Sequence, residues 1–281
     1  MKYLLLFLII ASEFVYPQEF LFNSSFGKFK NASSFDITSS GFIYITDAGT
    51  DEIFKLDTLG NVLKTAGGYG WDSGLFDNPS DISASPLSVY VCDKNNNRVE
   101  RFDKDLNYVS QLHTRNSDTT AERFGYPLGC VVSPQGDLYI LDSENKRIVK
   151  FDLFGNFSQN FGGYDAGNYA LSNPLKIAAS PNNDIYVIDG NRIVVFDQYG
   201  TGIAILKSNE DLKGMKIIFN NLTLNTNKDI LYADLSAKEL VLNKIKLDGF
   251  DEKNEIISSM IFNRKLYVLT RNTILVYNIV K

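Results

Sequence analysis

The sequence predicts an all-β chain: a six-bladed β-propeller of four-stranded antiparallel blades, with the last blade closed by an N-terminal strand. Three observations carry this. A strand ending in Asp recurs as YITD (Tyr44 to Asp47), YVCD (Tyr90 to Asp93), YILD (Tyr139 to Asp142) and YVID (Tyr186 to Asp189). Two weaker copies follow at Tyr232 (LYAD) and Tyr267 (LYVL), which brings the expected units to six, the fifth of them shortened. A period of about 47 residues with several short strands in each is the sequence signature of a propeller blade. Finally, the two ends are complementary: the last repeat stops after a third strand, Thr273 to Val280, while a strand-like FLFNSSF, Phe20 to Phe26, precedes the first repeat. Pairing them removes an exposed sheet edge.

The best-preserved unit is GDLYILDSENKRIVKFDLFG, Gly136 to Gly155. Leu138 to Leu141 are apolar on both alternating faces, so this strand is covered on two sides. The polar run after Asp142 turns the chain, and Arg147 to Phe151 resumes strand character. Asp152 and Gly155 then hold the first and fourth places of a type I turn. Helix signals are nearly absent from the whole chain.

The chain opens with MKYLLLFLIIAS, one Lys before an apolar run, which is the form of a secretory signal peptide. Residues 1–17 are assigned to it, and 18–281 to a single propeller domain. The run is too short to span a bilayer as a mature helix. A secreted, periplasmic or cell-envelope location is expected. A net charge of −5 and a pI near 5.1 argue against a nucleic-acid partner, which would need a basic face. Cys92 and Cys130 stand where other copies have Thr46, Leu141 and Ile188, or Ile82 and Ile177, and are read as unbridged core residues.

The pattern Pro-x-x-Ile-x-x-Ser, Gly-x-Leu-Tyr-Ile-x-Asp, Asn-x-Arg-Ile-x-x-Phe-Asp resembles the NHL repeat. The third copy carries it as PLGCVVSPQGDLYILDSENKRIVKFD, the second as PSDISASPLSVYVCDKNNNRVERFD and the fourth as PLKIAASPNNDIYVIDGNRIVVFD. The first copy keeps the apolar skeleton but has TDEI where the Arg is expected, and the last two keep little beyond Tyr and the strand pattern. The resemblance covers about Ser33 to Asp197. It implies the fold, and it implies no single activity, because the family spans scaffolds, RNA binders, sensor domains and lyases.

Two regions are candidates for function. Long connections, Gly67 to Pro79, Thr114 to Pro127 and Gly162 to Pro174, emerge on the face shared with the turns between second and third strands. They hold Tyr69, Trp71, Arg115, Arg123, Tyr126, Tyr164 and Tyr169, amphipathic side chains suited to a protein, peptide or glycan ligand. Phe76, Phe124 and Leu171 are expected to pin these loops between blades. The second region is the central channel. Asp36, Asp81, Gly129 and Lys176 align at the start of successive innermost strands, so two carboxylates and an amine are expected around the channel mouth, able to hold a cation or polar ligand. The recurrent Arg98, Arg147 and Arg192, and Asp93, Asp142 and Asp189, read as structural.

His113 is the sole histidine, which leaves no His-rich metal site of the kind used by the lyases the family includes. No nucleophile elbow, phosphate loop or EF-hand loop is present. The expected function is an exported, monomeric, non-enzymatic binding module without a cofactor. The alternative is a lactonase- or lyase-type enzyme with calcium at the channel mouth, and a third reading is a purely structural module of a cell-surface assembly.

Overall fold

The computed structural model describes residues 19–280. The expected signal segment, 1–17, lies outside the described residues. Strand β1 (Glu19–Phe26) opens the chain. A first sheet follows with β2 (Ala32–Ile37), β3 (Ile43–Asp47), β4 (Glu52–Leu56) and β5 (Val62–Gly67), and a second with β6 (Pro79–Ala84), β7 (Ser88–Asp93), β8 (Arg98–Asp103) and β9 (Tyr108–Leu112). The third holds β10 (Gly129–Val132), β11 (Leu138–Asp142), β12 (Arg147–Phe151) and β13 (Phe157–Phe161). The fourth holds β14 (Pro174–Ala179), β15 (Ile185–Asp189), β16 (Arg192–Phe196) and β17 (Gly202–Lys207). Each is a four-stranded antiparallel meander, the blade of a β-propeller.

The remaining strands are β18 (Gly214–Ile218), β19 (Asn221–Asn225), β20 (Ile230–Asp234), β21 (Asn243–Asp248), β22 (Ser258–Phe262), β23 (Lys265–Leu269) and β24 (Ile274–Ile279). With β1 they form one eight-stranded sheet in the order β18-β19-β20-β21-β1-β24-β23-β22. Here β1 pairs antiparallel with β24, from Phe20 opposite Ile279 to Phe26 opposite Ile274, as the complementary ends of the chain predict. It also pairs in parallel with β21, Glu19 opposite Lys246 and Leu21 opposite Asp248, which the sequence did not announce.

The repeat register needs one correction. Tyr232 lies in β20, the third strand of its run, and the second strand is β19, where LTLN replaces the Tyr-x-x-Asp pattern. Apolar alternation is the same in second and third strands, so LYAD imitated the motif in the wrong one. The shortening therefore falls before the fifth run: β17 ends at Lys207 and β18 begins at Gly214, a far shorter connection than Gly67 to Pro79.

The core lies between neighbouring sheets, which explains strands apolar on both faces. Cys92, Val99, Phe124, Cys130, Ile140 and Phe151 pack together across the second and third sheets, and Tyr139, Ile148, Ile177, Val187 and Phe196 across the third and fourth. Burying each such side chain contributes roughly 1.5–3 kcal/mol. Both cysteines are buried and unbridged, in core positions. The turns between third and fourth strands are set by Asp57, Asp103, Asp152 and Asp197, whose carboxylates each accept the backbone N–H two and four residues on.

Candidate functional site

Each Asp that ends a second strand captures the loop arriving from the blade before it. Asp47 accepts the N–H groups of Lys30 and Asn31, Asp93 that of Asp77, Asp142 that of Gly125, and Asp189 those of Ser172 and Asn173. The motif Arg completes the staple. Arg98 bonds Asp93 at 2.8 Å, Arg147 bonds Asp142 at 3.3 Å and Arg192 bonds Asp189 at 2.8 Å. Their other N–H groups reach loop carbonyls: Arg147 to Arg123 O, and Arg192 to Asn168 O and Ala170 O. The structural reading of these repeated residues stands.

The most elaborate staple holds the loop between β5 and β6. Arg98 donates to Asp93, Gln111 Oε1, Trp71 O, Asp72 O and Leu75 O, so all five guanidinium N–H groups are used. Beside it Glu100, fully buried, accepts the Gly74 N–H at 3.1 Å and pairs with Arg98 at 3.3 Å. Two buried carboxylates thus share one cation. Burial drives the Glu100 carboxyl up to about 7, with the Gly74 N–H and Arg98 pulling it back and Asp93 pushing it further. Gly67 enters this loop at φ +107°, where a Cβ would meet Asp51 O at 2.8 Å, so the turn requires glycine.

On top of this brace stand Tyr69 and Trp71, 62% and 70% exposed, with ring centroids 5.8 Å apart in an edge arrangement. Phe76 is buried beneath them, as expected of a pin. The sequence-predicted residues on the other loops do not join this pair. Arg115 bonds Asn97 Oδ1 at 2.5 Å, pairs with Glu144 at 3.1 Å and lies over the Tyr126 ring at 5.2 Å. The Arg123 Nε donates to Ser117 O at 2.6 Å, tying down its own loop. Tyr164 is 98% exposed and rests on nothing. Tyr169 packs on Phe196 and occupies the space a side chain at Gly202 would take, which makes it a packing residue of the fourth blade.

In the channel, the register corrects the alignment of Asp36. Ser34 lies opposite Thr46 as Asp81 lies opposite Cys92, Gly129 opposite Leu141 and Lys176 opposite Ile188. Asp36 is therefore two residues further along its strand. Ala32 stands opposite Asp47 where Pro79 and Pro174 stand opposite Asp93 and Asp189, so the first copy lacks the proline that marks the strand start and its Asp36-Ile37 pair imitates Asp81-Ile82. Asp81 is buried and committed. It accepts Ser34 Oγ at 2.5 Å, Lys216 Nζ at 3.1 Å and the Cys130 N–H at 3.3 Å. A Cβ at Gly129 would fall 2.9 Å from its Oδ2, so glycine makes room for that carboxylate. Burial opposes ionisation of Asp81, yet Lys216, Lys176 and the Ser34 hydroxyl hold it below the usual carboxylate range. Lys176, desolvated and without a salt bridge among the described residues, is shifted down. Asp36 accepts the Ile37 and Ala84 N–H groups, both at 2.8 Å. No three His, Cys, Asp or Glu side chains converge among the described residues.

Sequence reasoning missed Glu100 and Lys216. Glu100 carried a signal, a charge at a strand position where the other copies have Val149 and Val194. Lys216 sits in a run too degenerate to align.

These sheets and their channel define the class, a β-propeller. Residues 124–151 match the NHL repeat family, so that stretch is similar to an NHL repeat within a propeller. Among solved structures, a gluconolactonase from Xanthomonas campestris superposes with a TM-score of 0.65 at 11% identity, over 90% of this chain and 88% of that one. A catalytically inactive virginiamycin B lyase from Staphylococcus aureus with quinupristin gives 0.63 at 12%, over 92% and 99%. A nidogen/laminin complex gives 0.55 at 14%, over 82% and 80%. In sequence, the chain is 24% identical over 187 residues to the chloroplastic protein Suppressor of Quenching 1 of Arabidopsis thaliana, a stretch that is 54% of this chain and 18% of that protein. At these identities the likeness speaks for the fold.

Proposed function

We propose that this chain is an exported, non-enzymatic binding module that recognises a protein, peptide or glycan through its loop face. The eight-stranded sheet is read as two blades sharing β1 at their rims, which gives six units in the ring. The observation that carries the function is the Tyr69–Trp71 pair. Two large amphipathic rings stand in solvent on a loop whose backbone is fastened by buried Arg98 and Glu100. Aromatic side chains on a preorganised loop lose little entropy on binding, which is the economy of an interface hot spot. The export reading rests on MKYLLLFLIIAS.

Trp71 is the single tryptophan of the chain, so its fluorescence reports on this site alone. Peptide and glycan arrays probed with the purified protein are expected to yield a ligand that changes that fluorescence. Trp71→Ala is expected to weaken its binding by at least ~1 kcal/mol. Intact binding together with a large loss of stability in Trp71→Ala would make the indole a wedge rather than a contact.

A further inference from the structure

The channel has a second mouth, at the turns between first and second strands, opposite the long loops. A cavity of about 390 Å³ opens there, lined from five successive innermost strands. Its walls are apolar or hydroxyl-bearing: Ile37, Val132, Pro181 and Phe219, with Ser39 and Ser83 among them. Asp36 is the one ionisable side chain among the described lining residues. Several of the hydroxyls already accept backbone N–H groups. Ser83 Oγ accepts the Val132 N–H, Ser133 Oγ that of Asp137, and Ser180 Oγ that of Asp184.

Each Asp36 oxygen accepts one backbone N–H, from Ile37 and from Ala84. A carboxylate has about four acceptor sites, so two remain, on a group with no salt bridge among the described residues. Lys216, on β18, and Asp81, on β6, are the charged groups that face it. The Lys216 ammonium is already bonded to Asp81 Oδ1 and Ile82 O, each at 3.1 Å. A lone anion under an apolar rim is complementary to a cation that carries its own apolar body.

We propose that this second mouth is a binding site for a small organic ammonium, with Asp36 as counter-ion to the amine and the Ile37, Val132, Pro181 and Phe219 walls against the hydrocarbon. The Asp36 carboxyl is pushed up to about 6, chiefly by burial, with Lys216 pulling it down and Asp81 pushing it up. An ammonium ligand favours the ionised form, so its binding strengthens as pH rises through that value.

The test is calorimetric titration of the purified protein with cyclohexylammonium and with cyclohexanol, a neutral analogue of similar shape. Cyclohexylammonium is expected to bind at least tenfold more tightly than the alcohol at neutral pH, and to lose most of that preference about one unit below the Asp36 value of about 6. Asp36→Asn is expected to abolish the preference. Ser39→Lys, at an exposed rim position where folding is not at stake, is expected to weaken ammonium binding by placing a competing amine at the mouth. Equal binding of amine and alcohol, undiminished binding in a folded Asp36→Asn or in Ser39→Lys, or no binding of either probe would overturn the proposal.

Discussion

The first four blades and the eight-stranded sheet are fastened in different ways. In the former, side chains hold the connections: a strand-end Asp takes the incoming N–H groups, and in the second to fourth blades a motif Arg takes the carbonyls. In the latter the motif has gone. Asn225 stands at the strand end, where its Nδ2 donates to Ile256 O and Thr226 O. Closure there is made by backbone, with β1 inserted between β21 and β24. The Val280 N–H bonds Glu19 O at 2.9 Å, and Glu19 pairs with Lys246 at 2.7 Å. Backbone pairing tolerates sequence drift, whereas side-chain staples leave an identifiable motif. That is why the repeat pattern fades in the region where the ring is joined.

The largest effect should follow from breaking the backbone fastening. A chain beginning at Lys30, without β1, is expected to melt far lower or to be insoluble, because β24 and β21 become exposed edges and Phe20 leaves a core it fills completely. One beginning at Gln18 is expected to melt like the full chain. Comparable melting of the two would move the closure elsewhere.

Next comes the side-chain fastening. Arg98→Ala leaves Asp93 and Glu100 buried without a counter-ion, and is expected to cost about 3–5 kcal/mol in urea unfolding. Arg192→Ala, at a staple with a more exposed arginine, is expected to cost less. A loss under about 1 kcal/mol for Arg98→Ala would show that the trio is not the brace.

A smaller effect separates the two acids that share Arg98. Glu100 is raised from 4.5 to about 7 in the fold, so the folded state binds its proton more tightly than the unfolded chain. Its contribution to stability is fully present below the unfolded value and is lost as pH rises through about 7. Relative to Glu100→Gln, the wild type is therefore expected to lose stability progressively between about pH 4.5 and pH 7. Parallel pH–stability curves for the two proteins would contradict the assignment. The smallest expected effect is at Tyr164, whose ring touches nothing. Tyr164→Ala should leave the melting temperature within about 1 °C, as for a surface change worth under ~0.5 kcal/mol.

The blades, the ring closure by Phe20 to Phe26 and the roles of the repeated Asp and Arg were legible because each is written in a period or in matching ends. The true register of Asp36 was not, since Ala32 replaces the proline that anchors the second and fourth copies and Asp36-Ile37 imitates Asp81-Ile82. Nor was the separation of Tyr69 and Trp71 from Tyr169. All three are aromatics on long loops, and only the packed neighbours, Phe196 and Gly202 beneath Tyr169, distinguish an exposed ring from a filler. Glu100 was visible as a charge in an apolar column, but its meaning depended on Gly74 arriving from a distant loop.

Arg98 and Glu100 hold the loop from Gly67 to Pro79 as a platform for Tyr69 and Trp71. Native-state hydrogen exchange reads out this bracing residue by residue. In the wild type, the Gly70, Gly74 and Phe76 amides, which bond to Phe76 O, Glu100 and Gly68 O, should be protected to the level of the β6–β9 strand amides. In Arg98→Ala, that protection should collapse while the strand amides stay protected. Free exchange of those loop amides in the wild type would contradict the account.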